Sequence, residues 1–206
     1  SRRAYEELVI RPLRRRLARL KQLLMEITGP LTAALHECVR RALVDPAELA
    51  AARTALARAH TIQGFLSEFP ESAAALGQLR HLDRHERRAR RVRARLRTII
   101  VADGELAARH RELAGRLEAY NSLLHTHLDE EGSRFRQPGE LEERDTVVTA
   151  ARLYRTAQRL LDARPWQSDE AARAVRRYTD FVDRASSEPH PRRGEASGKR
   201  SQGPWD

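Results

Sequence analysis

Two kinds of side chain in this sequence have the type and spacing to do chemistry: histidines paired with carboxylates, and arginines in a dense run. His81 and His85 stand four residues apart, so on a helix they share a face and can chelate one ion. His127 and Glu131 repeat that spacing. A chain folded back on itself at Gly104 would let all four converge on one ion. A continuous helix would instead hold the two pairs roughly 70 Å apart, at 1.5 Å of rise per residue. Histidines on helix surfaces and in cores outnumber ligands. The sequence therefore assigns no metal and no cofactor, with His81, His85, His127 and Glu131 as the only candidates.

The arginines form the stronger pattern. Residues 80–97 hold nine Arg against Asp83 and Glu86, a local +7, whereas 98–131 hold three Arg against seven acids, a local −4. On a helix, Arg84, Arg87, Arg88, Arg91 and Arg95 recur at spacings of 3, 1, 3 and 4 and make a broad stripe. Such a stripe suits phosphates or an acidic partner. No aromatic residue occurs between Phe69 and Tyr120, which disfavours single-strand recognition by base stacking. A duplex backbone, an acidic protein or a membrane surface remain. Against these stands a solvated helix face whose arginine stems cover apolar neighbours, or one that pairs with its own acidic stretch across a hairpin or a dimer.

The stretch HTHLDEEGSRF, residues 125–135, resembles the second-helix motif of hemerythrin-like domains, which pairs a His with following glutamates. That resemblance covers about a dozen residues and implies a His/Glu metal-binding helical bundle. The sequence departs from the pattern where Phe135 is followed by Arg136 instead of Pro, and the other helices show no matching ligand set. No glycine-rich phosphate loop, Gly-x-Ser-x-Gly elbow or HExxH motif is found, so the expected class is a non-enzymatic interaction or regulatory module. Cys38 lies on an apolar helix face and reads as an inert small hydrophobe.

The elements that must carry these residues are helices. The chain has 206 residues, 5% of them aromatic and 33% charged, with a net charge of +10. Few aromatics and few β-branched residues argue against an all-β domain. Of 39 cations only Lys21 and Lys199 are lysines, and alanines number 31, a bias expected of a G+C-rich, bacterial genome. No stretch approaches the ~20 apolar residues of a membrane span, no signal peptide is visible, and a cytoplasmic setting is expected. The chain begins at Ser1, so it reads as processed or as part of a longer one.

Residues 4–28 read as a basic helix with a seam at Leu13, Leu17, Leu20, Leu24 and Ile27. The seam suits a bundle core better than a lipid surface. Gly29-Pro30 is expected to end that helix, with a second over 31–44. Asp45-Pro46-Ala47-Glu48 predicts an N-cap and capping box for a third helix to about Phe69. From Glu71 to Glu131 one 4/3 phase runs from Val92 through Leu96, Ile99, Asp103, Leu106, His110, Leu113, Leu117, Tyr120, Leu124 and His127. This favours one continuous or kinked, coiled-coil-like helix over a hairpin at Gly104. Further helices are predicted over 140–163 and 169–185, with Trp166 filling a gap between them. The expected architecture is an all-α bundle of six or seven helices around one core, residues 1–185, with a disordered tail over 186–206. No internal repeat stands out. Expected partners are a protein or a second copy, with nucleic acid as the alternative.

Overall fold

The computed structural model describes residues 2–69, 79–134 and 140–187. The expected tail lies outside the described residues from 188 onward. Every regular element among the described residues is helical. Among the described residues there are five helices where six or seven are expected: α1 (2–41), α2 (Pro46–Ser67), α3 (Leu79–Arg134), α4 (Glu140–Asp162) and α5 (Ser168–Ser187).

The lower count begins at Gly29-Pro30, which does not end α1. Proline lacks an N–H, and its ring crowds the carbonyl four residues back. The helix absorbs this by widening to π geometry over Ile27–Leu31. Two hydroxyls satisfy carbonyls at the distortion: Thr28 Oγ1 donates to Leu24 O at 2.9 Å, and Thr32 Oγ1 to Ile27 O at 2.7 Å. A second π turn, Glu6–Ile10, precedes Pro12. The chain leaves α1 at Ala42, which takes left-handed backbone angles (φ 51°, ψ 37°) and donates its N–H to Cys38 O at 3.0 Å.

The N-cap of α2 is as its sequence predicts. Asp45 accepts from Ala47 N at 2.7 Å, with Pro46 opening the helix. The predicted reciprocal partner, Glu48, instead reaches Arg95 at 2.5 Å.

Helix α3 runs 56 residues through Asp103-Gly104 without a turn, a length of about 84 Å at 1.5 Å per residue. It is shared by two bundles. In the first, α1 lies parallel to it, since Arg16 meets Asp83 and Glu86 while Glu26 meets Arg93 and Arg97. Helix α2 is antiparallel, with Phe65 against His85 and Glu48 against Arg95. In the second bundle α4 is antiparallel and α5 parallel, as fixed by Tyr154–Glu118, His110–Leu161, Arg109–Asp169 and Tyr178–Asn121.

Two cores replace the single one expected. One gathers the α1 seam (Leu13, Leu17, Leu20, Leu24, Ile27) with Ile62, Leu82, Val92, Leu96 and Ile99. The other gathers Leu117, Leu124, Ala157, Leu161, Trp166, Val175, Tyr178 and Val182, with Leu43 reaching in from the α1–α2 turn. The α1 seam is thus internal. On α3 the 4/3 stripe faces the chain's own helices, in the first core at Val92, Leu96 and Ile99 and in the second at Leu117 and Leu124. No helix among the described residues is long and apolar enough to cross a membrane.

Candidate functional site

Helical geometry sorts the nine arginines of 80–97. Leu82, Ala89, Val92, Leu96 and Ile99 face the core, and the arginines occupy the rest of the circumference, toward α1, toward α2 or toward water. On the α1 flank, Arg93 and Arg97 hold Glu26 at 3.4 and 2.6 Å, and Arg90 pairs with Glu86 one turn back. On the α2 flank, Arg95 holds Glu48, and Arg84 and Arg88 share that side of the helix, eleven and seven residues back. Arg80, Arg84, Arg87, Arg88 and Arg91 are exposed and have no carboxylate partner among the described residues. Of the five arginines predicted as contacts, four therefore stand exposed with no carboxylate partner among the described residues, and together they are called the ridge. Arg95 is already engaged within the chain.

The two acids inside the run are turned away from this ridge. Arg16 of α1 donates through Nε to Glu86 at 2.9 Å and through Nη2 to Asp83. These two carboxylates, chiefly the hydrogen-bonded Glu86, push the Arg16 pKa upward. A groove of about 460 Å³ opens between α1 and α3, with Arg19, Leu20 and Leu23 on one side and Glu86, Arg90 and Arg93 on the other. Its carboxylates are internally paired, and Arg19 is the one guanidinium there with no carboxylate partner among the described residues.

The acidic segment that followed the arginines in sequence does not neutralise them, because a straight helix carries it away. Residues 1–103 hold 21 Lys and Arg against 11 Asp and Glu, a difference of +10. Residues 104–187 hold 14 against 15, a difference of −1. The net charge of the molecule sits on the α1–α2 half.

The straight path also separates the candidate metal ligands. His81 and His127 lie 46 residues apart on one helix, about 69 Å, so the four residues do not converge within the chain. The Glu131 side chain lies outside the described residues. His81 is exposed. His85 stacks on Phe65 with ring centroids 4.2 Å apart, and its Nδ1 is buried without a hydrogen-bond partner. Among the described residues no group of three or more His, Cys, Asp or Glu is placed to hold a metal ion.

A second polar cluster, which the sequence reading missed, lies where the two bundles meet. Asp103 is 1% exposed, and its Oδ2 accepts from Arg41 Nη1 at 2.8 Å. Its Oδ1 has no partner. Arg164 donates to Arg41 O at 3.2 Å and to Leu161 O at 2.8 Å. His110 Nε2 bonds Leu161 O at 3.1 Å, and its ring meets Trp166 edge-on. Burial, followed by the charge of Asp103, pushes the Cys38 thiol up to about 11, so at neutral pH it is protonated and a poor nucleophile. The available signal was phase: Asp103 falls on the apolar stripe of α3, a position a turn residue has no reason to keep.

Comparison with protein-family models, with curated proteins and with solved structures finds no match to this chain.

Proposed function

We propose that this protein is a non-enzymatic α-helical interaction module that docks an anionic partner through the open ridge of α3, at Arg84, Arg87, Arg88 and Arg91. One observation carries the reading. Arg93 and Arg97 are matched to Glu26 of α1, Arg95 to Glu48 of α2 and Arg90 to Glu86 of α3 itself, whereas Arg84, Arg87, Arg88 and Arg91 are exposed and meet no carboxylate among the described residues. Isolated surface charges contribute little to stability, so a row of open guanidiniums on a rigid helix is better accounted for by a partner than by folding. Helix α3 holds the row in fixed register because its opposite face is buried in the first core. A cytoplasmic setting suits the lone Cys38, a buried free thiol.

The test compares two variants of equal charge change on immobilised heparin. One reverses Arg84, Arg87, Arg88 and Arg91 to Glu. The other reverses Arg152, Arg159, Arg173 and Arg177, four exposed arginines of the second bundle. The ridge variant should elute at markedly lower salt than the control variant, with helicity by circular dichroism unchanged in both. Equal elution would reduce the ridge to a contributor of net charge and end the reading.

A further inference from the structure

We infer that the partner of the ridge is double-stranded nucleic acid, held through its phosphate backbone. The inference rests on the ridge being a docking face and adds the chemistry of what docks there.

Surface composition separates a phosphate backbone from an acidic protein. Protein interfaces are built around an apolar core with aromatic or aliphatic anchors inside a polar rim. The ridge has no such core. The large apolar side chains exposed among the described residues are Tyr5, Leu8, Met25, Val101, Leu123, Val147 and Val148. None lies between Arg80 and Arg91, and Val101 is ten residues, about 15 Å, beyond Arg91. A face of guanidiniums without anchors suits a partner whose binding is chiefly ionic, and that is the nature of backbone recognition.

Spacing agrees with this. Arg80, Arg84, Arg87, Arg88 and Arg91 occupy twelve consecutive residues. That is about 16 Å of helix, with successive guanidiniums roughly 4 Å apart on average. A duplex strand presents one phosphate per about 3.4 Å along its axis. Guanidinium forks match phosphate oxygens bidentately. The two acids within the arginine run, Asp83 and Glu86, are both held by Arg16, so they do not turn like charge toward a polyanion. The ridge carries no aromatic side chain on which an unpaired base could stack, which favours a duplex over a single strand. Nor does it carry Asn or Gln to read base edges, so binding should depend little on sequence.

The test measures fluorescence anisotropy of the full chain with a short labelled DNA duplex, its single strand and poly-L-glutamate, across a salt series. Five phosphate contacts predict a log K against log salt slope of about −4.5, a fall of roughly 500-fold between about 50 and 200 mM salt. Changing Arg84, Arg87, Arg88 and Arg91 to Gln removes the charge while keeping a polar side chain and a similar helix propensity. It should flatten the slope to about −1, with helicity by circular dichroism as the folding control. Duplex binding with that slope, lost in the Gln variant and stronger than poly-L-glutamate binding, supports the inference. Poly-L-glutamate bound through the four arginines without duplex binding would overturn it and leave the docking face standing. Single-strand affinity equal to or above the duplex would overturn the choice of duplex. Binding of none of the three would remove both the inference and the docking face.

Discussion

Arg41 and Asp103 form an asymmetric pair, because Asp103 is 1% exposed and Arg41 is 42% exposed. Removing the exposed partner leaves a buried carboxylate with no counter-ion, whereas neutralising the buried one lets Arg41 turn to water. Arg41→Ala should therefore lower unfolding free energy by about 3 kcal/mol, and Asp103→Asn by about 1 kcal/mol. Urea denaturation of the two variants checks this, and equal losses would contradict the asymmetry. His85 supplies a pH effect. Burial pushes its imidazole below the ordinary 6.5, with the positive charges of Arg88, His81 and Arg84 adding to the shift. As pH falls through 6.5 the unfolded chain takes up this proton while the folded chain resists it. Stability should thus decrease from neutral toward acidic pH, until the folded group also titrates. Thermal melts at about pH 7 and pH 5 should show a larger drop for the natural chain than for His85→Gln; identical drops would remove His85 from the account.

The elements show how far local sequence signals can mislead. Gly29-Pro30 is a strong break signal, yet α1 continues because a π turn and two threonine hydroxyls accommodate the proline. Asp103-Gly104 is a weaker signal that also fails, since Asp103 serves as a buried anchor and Gly104 lies within α3. A Cβ at Gly104 would meet nothing within 4 Å. Gly104→Ala should accordingly stabilise the protein by up to about 1 kcal/mol, the helix-propensity difference. A higher urea midpoint would show this, and a large destabilisation would mean the backbone there is not ordinary helix. The apolar phase on α3 was the better guide, because a helix that continues must keep its buried face in register whereas a turn need not.

At the scale of the molecule, α3 acts as a shared spine. Two antiparallel helix pairs sit at different heights along it, α1 with α2 and α4 with α5, although the sequence shows no internal repeat. A rod of about 84 Å has a radius of gyration near 24 Å, whereas a compact 206-residue domain would have about 17 Å. Small-angle X-ray scattering of the monomer should give a value of roughly 24 Å, and one near 17 Å would contradict the straight spine. The same geometry keeps the positive α1–α2 half from folding onto the acidic residues of the other.

By itself, the sequence determined the helical class, the α1 seam, the Asp45 cap, the phase of α3 and the five-arginine stripe. Each is written in spacings of three and four residues or in one turn's capping chemistry, and both are local. Only the tertiary structure decided that the described helices number five, that they enclose two cores, that His81 and His127 stay about 69 Å apart, and that Arg95 pairs with Glu48 while Arg84, Arg87, Arg88 and Arg91 stay open. Those outcomes depend on which helix flank meets which neighbour. Pairings such as Arg16–Glu86 or Arg97–Glu26 join residues about seventy positions apart, and no periodicity within a single helix specifies them.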